Sequence, residues 1–125
     1  CIRDSCRSVQ ECRGSSEFSK GENGMTFKQQ GKNKQIIDCH SFQQQLEQAE
    51  EEAAEFLLAA QKLKRFPDNK ERHANLIEET ADLLIMMEQM RVYLGCESVD
   101  NVVDYKLDRE IKRIEEAEEN AAGCA

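Results

Sequence analysis

Glu52 and Glu55 stand three residues apart in the run E-E-A-A-E-F-L-L-A (Glu51 to Ala59). Glu79 and Asp82 repeat that spacing in N-L-I-E-E-T-A-D-L-L-I-M-M-E-Q-M (Asn75 to Met90). On a helix turning about 100° per residue, side chains three or four apart share a face. Glu51 with Glu55, and Glu78 with Asp82, add pairs four apart. Carboxylates gathered this way repel one another and raise each other's pKa unless a cation lies between them. Oxygen-only ligands in this number suit a hard ion such as Mg²⁺, with Mn²⁺ as a substitute. No His or Cys at these positions argues for a softer metal. A solvated acidic face is the competing reading, because glutamate commonly fills exposed helix surface and E-x-x-E often arises by chance.

The elements that must carry these acids are helices. The segment from about Asp38 to Arg65 consists almost wholly of good helix formers. Its apolar stripe is Leu46, Ala49, Ala53, Phe56, Leu57, Ala60 and Leu63, with Glu52 at the stripe's edge and Glu55 a little further out. Phe66-Pro67-Asp68-Asn69 ends this helix. A second helix is expected from about Lys70 to Leu94, with the stripe Leu76, Leu83, Met86, Met87, Met90 and Leu94. Glu79 and Asp82 lie at or near the edge of that stripe. Gly95 fits a helix C-terminus, and Ser98 can cap a third helix running to about Glu118, with a frayed tail after it. Residues 27–37 can add a short helix. Antiparallel packing across the Pro67 turn would let the two acidic edges converge on one cleft. With no strand pattern and no repeat, the fold class is all-α. A helical bundle of three to four helices, completed by oligomerisation, is expected.

Lys106 and Arg109 share a face of the third helix and can meet phosphate; a Lys106–Glu110 ion pair is the plainer alternative. Asn75 can line the cleft as a nucleotide contact, or cap or face solvent. Met86, Met87 and Met90 read as core. Lys62, Lys64 and Arg65 complement the helix dipole without a ligand.

The 125 residues carry a net charge of -8, with 34% charged residues and one proline. That is enough chain for one modest domain. No basic stripe marks a nucleic-acid binder, and no run approaches the length of a membrane span. Residues 1–24 differ from the rest: they have little apolar periodicity and contain G-S-S-E-F, a sequence of cloning-linker type. They are expected to be a disordered tail, vector-derived or read through from upstream, with Met25 as the natural start and 25–125 as the domain. Six cysteines occur without an apolar leader segment or a zinc spacing with His40 or His73. Reduced thiols in a cytoplasmic protein are the expectation.

The two acidic motifs resemble those of the MazG-like nucleotide pyrophosphohydrolases, within the all-α nucleoside triphosphate pyrophosphohydrolase superfamily. V-x-x-V-x-x-Y-K-L-D-R (Val99 to Arg109) is similar to that family's third-helix motif. The likeness covers roughly residues 40–115. It implies metal ligation by Glu52, Glu55, Glu79 and Asp82, with Glu51 and Glu78 as adjacent acids and Glu51 or Glu52 as the general base. It implies phosphate contacts from Lys106 and Arg109. The implied reaction is hydrolysis of (deoxy)nucleoside triphosphates to monophosphate and pyrophosphate, by a homodimer or homotetramer with sites built partly between subunits. The implied role is nucleotide housekeeping, and small members also occur in phages and mobile elements. Phosphoribosyl-ATP pyrophosphohydrolase, in the same superfamily, is an alternative. It typically has Tyr-His after D-L-L, where this chain has Ile85-Met86. A non-catalytic helical interaction module is a second alternative.

Overall fold

The computed structural model describes residues 24–124. The expectation for the N-terminal tail therefore lies, but for Gly24, outside the described residues. Four helices follow one another: α1 Phe27–Cys39, α2 Phe42–Arg65, α3 Lys70–Leu94 and α4 Cys96–Gly123. No strand occurs among the described residues, so the chain is all-α. No helix among them is long and apolar enough to cross a membrane.

Each boundary has a local cause. Thr26 caps α1 through a capping box with Gln29, which satisfies two backbone donors that the first turn leaves open. The helix expected from about Asp38 begins at Phe42 instead, because Asp38 and Cys39 belong to α1, the short helix expected at residues 27–37. His40 is extended (φ -131°, ψ 153°), and Ser41 opens α2 with its own capping box to Gln44. Asn69 caps α3 by accepting the Arg72 amide at 3.0 Å. Gly95, at φ 103°, both ends α3 and starts α4. A side chain there would be strained, whereas glycine takes that conformation freely. Ser98 is therefore not the cap; it lies inside α4. That helix also runs past Glu118 to Gly123 instead of fraying.

The α2–α3 hairpin is the centre of the fold. Its antiparallel register is consistent along its length, with Gln45 hydrogen-bonded to Gln89, Ala49 packed with Met86 and Met90, and Glu55 near Glu79. Small side chains at Ala49 and Ala59, both buried, let the helices approach closely. The apolar stripes need correction at three positions: Leu57, Met87 and Leu94 are exposed. Gln89 is buried instead, at 1% exposure.

A ladder of amides fixes α1 to this hairpin. Gln45 Nε2 donates to Gln89 Oε1 at 2.7 Å, and Gln89 Nε2 donates to Asn33 Oδ1 at 2.7 Å. Asn33 Nδ2 donates in turn to the Ile85 carbonyl at 3.2 Å. All three side chains are buried, and pairing is what makes buried amides tolerable. Ile37, Val92 and Cys96 form a small apolar cluster beside them. Tyr93 stacks at a tilt on Phe42 and donates to the His40 carbonyl at 3.1 Å.

α4 touches the rest only at its start. The Arg91 guanidinium grips the Asp100 carboxylate with two hydrogen bonds, at 2.7 and 2.6 Å, and reaches Glu88 at 3.0 Å. Those bonds hold the Asp100 carboxyl below its ordinary pKa. Glu88 is pushed the other way, because its burial outweighs the help from Arg91. From Asn101 onward every described residue of α4 is exposed. Cys39 and Cys124 are free and exposed. Cys96 is disulfide-bonded, which corrects the expectation of reduced thiols at that position; helical periodicity neither requires nor forbids such a bond.

Candidate metal centre

The register of the hairpin brings acids from α2 and α3 together at mid-length. One carboxylate oxygen each from Glu52, Glu55 and Glu79 lies within 4.8 Å of the others. Glu52 and Glu79 are half-buried and Glu55 is exposed. Glu52 Oε2 and Glu79 Oε2 are each buried without a hydrogen-bond partner. The other oxygen of Glu52, Oε1, accepts from Gln48 Nε2 at 2.7 Å.

Among the described residues, no basic side chain compensates this group. The ion pairs among the described residues are Arg91 with Glu88 and Asp100, Lys112 with Glu116, and Arg113 with Glu110. None of them touches Glu52, Glu55 or Glu79. The electrostatic consequence falls on Glu55, whose carboxyl is raised above its ordinary pKa, first by the charge of Glu52 and then by that of Glu79. Two buried, unpartnered carboxylate oxygens facing a third acid are costly in isolation. The donor set fits a hard divalent cation: all oxygen, net negative, with an open side at the exposed Glu55.

The remaining expected residues are distributed differently. Asp82 is exposed and outside the three-acid group. Glu51 and Glu78 are exposed beside the cluster in sequence, and Asn75 is half-buried near the start of α3. Lys106 and Arg109 lie on the exposed stretch of α4, and no ion pair among the described residues links them to the acids. Arg109 sits over the Tyr105 ring at 5.8 Å, and the two line a shallow depression with Asp108 and Lys112. The Lys106–Glu110 pairing is not made; Glu110 pairs with Arg113 at 3.4 Å. Gln48 escapes a motif search aimed at acids. The signal that finds it is its place four residues before Glu52, on the same helix face.

A scan against protein-family models matched none, and searches of curated proteins and of solved structures returned no match.

Proposed function

We propose that the chain is a metal-dependent nucleoside triphosphate pyrophosphohydrolase that cleaves between the α and β phosphates, in nucleotide-pool housekeeping. The observation that supports this most is the uncompensated convergence of Glu52, Glu55 and Glu79 from two helices, with two carboxylate oxygens buried and unpartnered. The resemblance of Glu51–Ala59 and Asn75–Met90 to the MazG-like motifs, which contain the same acids, gives the reading its reaction.

In this reading Glu52, Glu55 and Glu79 would hold Mg²⁺, which supplies Lewis-acid polarisation of phosphate oxygens and a more acidic water. Asp82 joins as an outer carboxylate, within reach of solvent. Glu51 accepts the proton of the attacking water, because Glu52 is engaged on one oxygen by Gln48 and buried on the other. Glu78 adds negative charge at the rim. Lys106 and Arg109 bind the polyphosphate, and they do so from a second copy of the chain, since no ion pair among the described residues links them to the acids. Asn75 contacts the nucleotide at the cleft.

The test is pyrophosphate release from a panel of canonical and modified (deoxy)nucleoside triphosphates, with Mg²⁺ and with EDTA. Metal-dependent formation of monophosphate plus pyrophosphate is expected. Inert triphosphates alongside turnover of phosphoribosyl-ATP would move the assignment to histidine synthesis. No turnover of either, with no Mg²⁺ binding, would return the acids to a solvated surface.

A further inference from the structure

The two oxygens of Glu52 have different surroundings. Oε1 takes the amide hydrogen of Gln48 at 2.7 Å, one turn earlier on α2. Oε2 is buried and takes no hydrogen bond, and one oxygen of Glu52 lies within 4.8 Å of one each from Glu55 and Glu79. A glutamate side chain has three rotatable bonds, and Glu55 and Glu79 repel its charge. Left alone it would turn toward water and away from them. The Gln48 bond opposes that swing and occupies Oε1, so that Oε2 is the oxygen left free for a cation.

The kind of donor matters as much as its position. A lysine or arginine at residue 48 would hold Glu52 equally well, but it would neutralise the group and compete with a cation. An amide holds the carboxylate without adding charge. Gln48 is also not needed elsewhere in the core: the neighbouring buried amide, Gln45, is the one committed to Gln89.

We propose that Gln48 is a positioning residue for Glu52, holding its carboxylate so that one oxygen, Oε2, is presented to a divalent cation shared with Glu55 and Glu79. This rests on the reading of those three acids as a metal centre. Partners that orient metal-ligating side chains typically contribute 10–100-fold in metal affinity.

The experiment is Mn²⁺ titration of the full chain without nucleotide, followed by the electron paramagnetic resonance signal of the free ion. Gln48→Met keeps length and helix propensity and removes the donor; Gln48→Ala is the second variant should packing suffer. Gln61→Met, at an exposed position of the same helix, is the control. Gln48→Met should raise the Mn²⁺ dissociation constant about 10–100-fold, with the melting temperature in EDTA and the helicity unchanged, and Gln61→Met should bind as wild type. Glu52→Asp keeps a carboxylate but withdraws it from Gln48, so adding Gln48→Met to Glu52→Asp should have no further effect. Wild-type affinity in Gln48→Met and Gln48→Ala, or an equal loss in both Glu52 backgrounds, would overturn the positioning role while leaving the metal centre standing. No saturable Mn²⁺ binding by the wild type would overturn both.

Discussion

Glu55 is where the chemistry and the stability of the site oppose each other. Its carboxyl is raised by Glu52 and Glu79, so the metal-free folded chain binds a proton there more tightly than the unfolded chain does. The stability linked to this group is present below the ordinary glutamate pKa and is lost as pH rises through the higher folded value. Glu55→Gln removes the repulsion. It should therefore raise the melting temperature of the metal-free protein at neutral pH and shrink the additional rise that Mn²⁺ gives the wild type. Thermal melts with EDTA and with Mn²⁺ separate the two effects. A metal-free Glu55→Gln melting below wild type would mean that the three acids do not repel as their geometry requires. Glu79→Gln, by the same chemistry, should abolish pyrophosphate release while far-ultraviolet circular dichroism stays helical. These acids were legible in the sequence because spacing on a helix is geometry. That Asp82 stands exposed, outside the group of three, was not legible: an i,i+3 pair shares a face, but how far inward that face points depends on the partner helix.

The helices owe their relative positions to polar contacts that residue patterns do not announce. α3 is found where its caps and period put it, from Lys70 to Leu94. The break at His40 is hidden by strong helix propensity on both sides, although S-x-x-Q at Ser41 to Gln44 is a capping-box signature. Asn33, Gln45 and Gln89 read as surface until their pairing is known. A slide of one turn, about 5.4 Å, would carry Glu79 out of reach of Glu52 and Glu55, and the amide ladder opposes that slide. Gln89→Leu strands the Gln45 amide and the Asn33 carbonyl oxygen, each costing about 1–3 kcal/mol if left unpaired. Replacing all three by Leu should recover much of that loss in urea unfolding, yet leave Mn²⁺ affinity reduced because no specific contact then sets the register. Wild-type affinity in the triple variant would show that packing alone sets it. The Arg91–Asp100 contact, which holds the start of α4, has the opposite pH sense to Glu55. Asp100 titrates below its ordinary value, so its contribution is present above about pH 4 and is lost as pH falls through the folded value. Asp100→Asn should cost at most about 1 kcal/mol at pH 7, and urea midpoints should show the difference from wild type shrinking toward pH 3.

At the scale of the molecule, the apolar surface exceeds what one copy buries. Among the described residues, seven hydrophobic residues are buried and seventeen large ones are exposed. Four of the exposed residues, Val103, Leu107, Ile111 and Ile114, fall within about a quarter turn of one another on α4 at roughly 100° per residue, with Leu107 59% and Ile111 56% exposed. A contiguous apolar stripe of this kind is characteristic of an interaction surface. It lies on the same helix as Lys106 and Arg109, which no ion pair among the described residues links to the acids. Association along α4 would answer both problems at once, covering the stripe and carrying basic residues toward a neighbour's carboxylates. Leu107→Lys should therefore shift the chain toward monomer in light scattering and reduce turnover with the acids intact. Complementation tests the second half of the idea. Glu79→Gln and Arg109→Ala should each be inactive alone. If the acids and the arginine of one site come from different copies, a mixed dimer pairs both lesions in one site and leaves the other native. A two-fold dimer has two equivalent sites, so an equimolar, fully exchanged mixture should regain about a quarter of wild-type turnover. Recovery would be absent if the two residues served the same site from the same chain.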